Sequence, residues 1–202
     1  SLKTRFGNLG NILDFDNLTE ENIYVLDSPV LTNSQFKKFK KFFSKKVKVI
    51  DCTFDIEKSL KERIELIRDE AETAVREGST CLVLSDKNIT NKKASIPSIL
   101  TVGAVHSHLV KHGLRGYCSL NVECCDAMDT HSFAILIGVG ATTVNPYLAI
   151  DSIYQRFERK LFGKSDFETC VSRFKKSIDA GLLKIMSKMG ISVISSYRGG
   201  CN

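Results

Sequence analysis

Short apolar runs recur along this chain at intervals of roughly 25 to 50 residues, and in each gap apolar side chains fall three and four apart. That order constrains the fold most, because strands set so far apart need helical crossovers and therefore pair in parallel. Val47-Lys48-Val49-Ile50-Asp51, Cys81-Leu82-Val83-Leu84, Cys118–Glu123, Ala141–Val144 and Ile191–Ile194 read as the strands. Between them, Phe36, Phe39 and Phe43 mark one helical stripe, and Leu60, Ile64, Ile67, Ala71 and Ala74, ended by Gly78, mark a second. Pro97 opens a third helix and Gly113 closes it; a fourth runs through Phe133–Ile137. Asn145-Pro146 caps a fifth with Tyr147, Ile150, Tyr154 and Phe157 on one face. Cys170, Phe174, Ile178, Leu182, Ile185 and Met189 define the sixth, capped by Gly190. The string β-α-β-α-β-α-β-α-α-β is an α/β fold of parallel strands with helical crossovers. Its strand ends carry Asp51, Ser85, Asp86, Glu123, Asn145 and Ser195, where such folds place ligands.

Residues 1–33 lack a sustained period and form an irregular, turn-rich lead-in to a unit spanning 34–202, the two expected to make one compact body. With 202 residues, 43% hydrophobic and 26% charged, the chain can bury a core, which excludes disorder and coiled coil. No run reaches the roughly 18 apolar residues of a membrane span, so no membrane partner is expected. Seven cysteines, an odd number, suit a reducing compartment and point to the cytoplasm. A start at Ser1 and an end on Gly199-Gly200-Cys201-Asn202 read as a piece of a longer polypeptide. The +6 charge is concentrated in the lysines from Lys37 to Lys48, where a solvated helix face explains it better than a nucleic-acid patch.

The chemical motifs are weak. Gly138-Val139-Gly140-Ala141-Thr142-Thr143 starts like a dinucleotide loop but lacks the third glycine and follows a helix instead of a strand. His108 and His112 sit four apart on a helix, a zinc-compatible spacing without a third ligand at a fixed distance. Cys118, Cys124 and Cys125 have no paired C-x-x-C, so buried thiols are expected in place of a cluster, with redox sensitivity of the vicinal pair left open. By physics alone the reading stops at a soluble α/β domain with no visible active site; the alternative is a free-standing small-molecule enzyme with Asp51 and Glu123 as general acid and base.

Several stretches resemble the central domain of the glutamate synthase large subunit. They are Ser1–Leu13, Ile96–His106, Gly140-Ala141 with Val144-Asn145-Pro146-Tyr147, and Gly181–Ser192 running into Ser196-Tyr197-Arg198-Gly199. The resemblance implies a degenerate or incomplete (β/α) barrel without a cofactor of its own. It also implies neighbours in the same polypeptide: a glutamine amidotransferase domain, and an FMN synthase domain with an iron–sulfur cluster. Ammonia from glutamine would pass through a tunnel to 2-oxoglutarate, with electrons from a reductase subunit or ferredoxin. On this reading the chain joins the two catalytic domains and helps wall the tunnel, Thr4, Arg5 and Asn8 matching the segment that lines it. No catalytic, cofactor-binding or metal residue is implied here. The chain departs from the family where Cys124-Cys125-Asp126-Ala127-Met128 follow Val122-Glu123, and where Ser132 follows His131.

Overall fold

The computed structural model describes residues 1–7 and 23–200. Its centre is a four-stranded parallel sheet of β3 (Val47–Asp51), β5 (Cys81–Ser85), β7 (Ser119–Glu123) and β8 (Thr143–Asn145), ordered β3-β5-β7-β8. Helices α2 (Leu60–Arg76), α3 (Ser98–Lys111) and α4 (Thr130–Gly138) make the crossovers, so each strand lies beside its predecessor as in a barrel wall. Beyond β8 the wall continues, among the described residues, as a bridge: Val30 pairs in parallel with Val144, Leu31 N–H donates to Val144 O at 2.9 Å, and Val144 N–H donates to Pro29 O at 2.9 Å. The α/β reading holds.

The alternation along each strand sorts the core into two layers. Ile50, Leu84, Val122 and Val144 form one cross-strand row, all within 1% of full burial, against Ile67 and Ala71 of α2, Val102 and Val105 of α3, and Phe133 of α4. On the opposite, concave face lie Cys81 and Val83, covered by Phe36, Phe39 and Phe43 of α1 (Asn33–Phe43). A closed barrel would fill that face with its remaining strands; here the phenylalanine stripe fills it, and lysines occupy the helix's outer face. Toward β8 the concave face turns polar and pairs with itself: Thr143 Oγ1 donates to Asn121 Oδ1 at 2.6 Å, and Asn121 Nδ2 donates to Leu82 O at 3.1 Å.

The remaining elements brace this wall. Helix α6 (Phe167–Lys188) packs on α4 and on α5 (Tyr147–Glu158). Gly181 lets α6 approach Thr130 so closely that an added Cβ would stand 2.4 Å from its methyl. Two features differ from the expectation. The polar loop after Ser85 holds β6 (Lys93–Ser95), paired antiparallel with β4 (Thr53–Asp55), and the lead-in holds β1 (Thr4–Phe6) paired with β2 (Tyr24–Leu26). Ile191–Ile194 is not a strand: the chain turns there into the four-residue helix α7 (Ile194–Tyr197), and Ile194 N–H donates to Ser1 O at 3.0 Å. Ile194, 1% exposed, joins the core while Val193 stays 42% exposed, and Ser195 lies exposed on the short helix.

Candidate functional site

At the carboxyl ends of the strands, Asp51, Ser85, Glu123 and Asn145 stand in one register row. Asp51 and Glu123 are two strands apart, so their backbones are about 10 Å from each other. Each is already engaged. Thr53 donates to Asp51 Oδ1 from its amide at 3.0 Å and its hydroxyl at 2.8 Å. Burial alone would raise the Asp51 pKa, but those bonds, with Asn88 and Lys93, bring it below the ordinary carboxylate value. Glu123, 6% exposed, accepts from Ser85 Oγ at 2.7 Å and pairs with Lys87 Nζ at 3.0 Å. Asn145 Nδ2 donates to Leu31 O and to Asn33 Oδ1, both at 3.0 Å, which fastens the bridge beyond β8.

Asp86, next along, is 2% exposed; its Oδ2 accepts from Cys125 N–H at 2.9 Å and Ser95 Oγ at 3.1 Å. Its Oδ1 has no hydrogen-bond partner among the described residues. Burial first, and the Asp86 carboxylate second, push the Tyr147 hydroxyl above its ordinary value. Asp126 accepts from Ser98 N–H at 2.9 Å and Ser98 Oγ at 2.8 Å, capping α3 where Pro97 offers no side-chain cap. A row tied down in this way positions loops. A general acid or base would need a pKa poised nearer neutrality and a free reach to substrate, and Asp51 is moved in the other direction.

The weak motifs resolve into packing. Gly140, at φ +129°, lies against His106, where an added Cβ would fall 2.3 Å from the ring's Cγ; Gly138 faces the Tyr197 ring. The G-x-G spacing sets each glycine against one aromatic neighbour. His108 and His112 do meet a third candidate ligand, Glu72 on α2, with Glu72 Oε2 2.6 Å from His108 Nε2. Yet Arg68 Nε donates to His108 Nδ1 at 3.3 Å, so in the neutral ring the proton sits on Nε2 and points at Glu72. A metal at Nε2 would need that proton moved to Nδ1, against a guanidinium that cannot accept it. Burial, before any neighbour, pushes the Cys124 thiol well up and takes Cys125 to about 11, Asp86 adding to the latter, so both are held as thiols.

The lead-in residues fall in different places. Thr4 is 1% exposed and donates from Oγ1 to Leu2 O at 2.9 Å. Arg5 is exposed and borders a small cavity under the amino ends of β7 and β8 that also meets Arg115 and Arg198. Asn8 lies outside the described residues. Sequence reasoning passed over Arg115 and Arg198, which are 83 positions apart and share no spacing signal.

Over residues 1–202 the chain matches the family described as the glutamate synthase central domain. It is 51% identical, over its whole length, to the glutamate synthase [NADPH] large chain of Azospirillum brasilense, and 38% identical over 98% of its length to the ferredoxin-dependent glutamate synthase of Pyropia yezoensis. It spans 14% of each of those relatives. Among solved structures, a flavocytochrome b2 variant with sulfite bound aligns with 85% of this chain and 39% of its own at a TM-score of 0.51 and 15% identity, a likeness of fold alone. No helix among the described residues is long and apolar enough to cross a membrane. The match over the full length, with relatives of two electron-donor types, establishes that this chain belongs to the glutamate synthase central domain family.

Proposed function

We propose that this chain is a joining domain of a glutamate synthase polypeptide and carries none of its chemical steps. In that polypeptide a glutamine amidotransferase domain releases ammonia, and an FMN domain with an iron–sulfur cluster uses it to make glutamate from 2-oxoglutarate, supplied with electrons by a reductase subunit or ferredoxin. The chain, lead-in 1–33 and body 34–202 together, stands between the two and contributes a stretch of tunnel wall through Thr4, Arg5 and Asn8. It covers 14% of the length of its relatives, which leaves ample chain for those neighbours.

The observation that carries this reading is the strand-end row. In a barrel enzyme this end receives the ligand; here Asp51 is bonded by Thr53, Ser85 donates to Glu123, and Asn145 donates to Leu31 O. Nor do the residues suit a flavin phosphate. The turn after β8 presents Pro146, which has no N–H, at the start of α5, and the nearby cation Lys87 is paired with Glu123. A soluble, cytoplasmic setting is part of the same proposal, supported by the odd number of cysteines. A tunnel wall predicts leakage when it is obstructed. Replacing Asn8 with Trp in the intact protein should raise the glutamine hydrolysed per glutamate formed above one, with free ammonia accumulating. A ratio that stays at one would remove the lead-in from the tunnel.

A further inference from the structure

We infer that Arg5, Arg115 and Arg198 form a binding site for one small oxyanion, a phosphate or a carboxylate group, under the amino ends of β7 and β8. This lies at the opposite end of the sheet from the strand-end row and does not depend on the function proposed above. Arg115 follows α3 and is clamped by neutral groups: Nη1 donates to Cys118 O at 2.6 Å, Nη2 to Gly140 O at 2.9 Å, and Nε to His106 Nδ1 at 3.1 Å. Arg198 follows α7 and among the described residues is held through Nε, which donates to Ala141 O at 3.0 Å. Its two Nη nitrogens, with four N–H groups between them, have no hydrogen-bond partner among the described residues. None of the ion pairs among the described residues includes any of the three arginines.

The groups that could balance this charge from within are already used as acceptors. Thr142 Oγ1 accepts from Leu120 N–H at 3.0 Å and from Arg115 Nη2 at 3.2 Å, so only its proton remains to offer. The one acceptor nitrogen of His106 is taken by Arg115, and burial, with Arg115 and Arg198 behind it, lowers that ring's pKa and keeps it neutral. Burial first, and Arg115 second, bring the Arg198 guanidinium down to about 10. Two partly buried cations that weaken each other, with no carboxylate between them among the described residues, are favoured by an anion that completes the set. The cavity they border measures about 40 Å³. That is room for about three waters, or for one tetrahedral oxyanion or carboxylate in their place. The two Nη nitrogens that Arg198 keeps free among the described residues form a fork that matches an oxyanion's geometry, and Arg5 and Arg115 border the same cavity and add their charge.

Modification of arginines by phenylglyoxal in the intact protein, read by peptide mass spectrometry, tests this residue by residue. Inorganic phosphate and acetate are added separately, each against chloride at equal ionic strength. The expected result is slower modification of Arg5 and Arg198 by at least fivefold with one or both oxyanions, and unchanged rates at exposed arginines such as Arg156. Protection by phosphate alone assigns a tetrahedral oxyanion; protection by acetate assigns a carboxylate. In Arg5→Gln, the phosphate or acetate concentration that half-protects Arg198 should rise about tenfold. Arg5 is exposed and reports even where Arg198 reacts slowly. Rates at both arginines that no oxyanion changes, whether because the cluster is empty or because a carboxylate of the chain already fills it, would overturn the inference.

Discussion

Replacing Gly140 with Ala puts a methyl where the His106 ring stands, and the structure allows the cost to be worked out. At φ +129° an L-residue with a Cβ occupies a region essentially reserved for glycine, a strain of about 1–3 kcal/mol. The new Cβ would also lie 2.3 Å from Cγ and 2.4 Å from Nδ1 of His106. That ring cannot simply swing away, because Nδ1 accepts from Arg115 Nε and Arg115 is itself clamped by Gly140 O and Cys118 O. Forcing it aside adds about 1–3 kcal/mol of overpacking. The sum, about 4 kcal/mol, corresponds in a domain of this size to a fall in Tm of roughly 8–16 °C. The assay is urea and thermal unfolding of the 202-residue chain as Gly140→Ala, His106→Ala and the double variant. Removing the imidazole relieves the two shortest contacts and leaves the backbone strain and the His106 Cβ at 2.7 Å. The double variant should therefore be less destabilised than the sum of the singles by about 1–3 kcal/mol. Strict additivity, or a Gly140→Ala cost below about 1 kcal/mol, would refute the account of this glycine.

Three further outcomes are expected. Phe39→Ala, at a fully buried ring on the concave face, should cost about 3–5 kcal/mol in urea unfolding, whereas Phe42→Ala, half exposed on the same helix, should cost less than about 1 kcal/mol. Asp51 titrates below its unfolded value, so its contribution to stability is present above the ordinary carboxylate pKa and is lost as pH falls through the folded one. Carbon-13 NMR should find its pKa lowered, and Thr53→Val should move it back up. With its thiol held near 11, Cys125 has about one molecule in a thousand ionised at pH 8, so iodoacetamide should label it far more slowly than a free peptide thiol; labelling at the peptide's rate would contradict the burial and Asp86 contacts.

What the sequence made legible was whatever a single period or cap encodes. The strand at Val47–Asp51 falls on the residues expected, and the spacing through Leu60–Ala74 and Cys170–Met189 locates α2 and α6 because each buries one continuous stripe. The phenylalanine stripe at Phe36, Phe39 and Phe43 correctly implied core packing, though not that it would close the concave side of the sheet. Lys93-Ala94-Ser95 was unreadable as a strand, since its residues are exposed or half-buried and its partner, β4, is nearly 40 positions away. Ile191–Ile194 misled for the opposite reason. Its β-branched residues read as a strand, yet Ile194 alone is buried, Val193 is 42% exposed, and the segment is fixed by Ile194 N–H donating to the chain's first residue. The strand-end polar residues were nameable, but their hydrogen-bond partners were not: the bond from Ser85 to Glu123 spans 38 positions and that from Cys125 to Asp86 spans 39. The same holds for Glu72 against His108, and for the arginine cluster. Long-range pairing of polar groups leaves no periodic trace in a single sequence.

The central claim is that the chemistry of the glutamate synthase polypeptide lies outside this domain. It is tested most directly by Asp51→Asn and Glu123→Gln in the intact protein, with glutamine hydrolysis and ammonia-dependent glutamate formation measured separately. The account predicts kcat for both steps within about twofold of the unaltered protein. A loss of about a hundredfold or more in either, the scale of a removed general acid or base, would place a catalytic residue in this domain and contradict it.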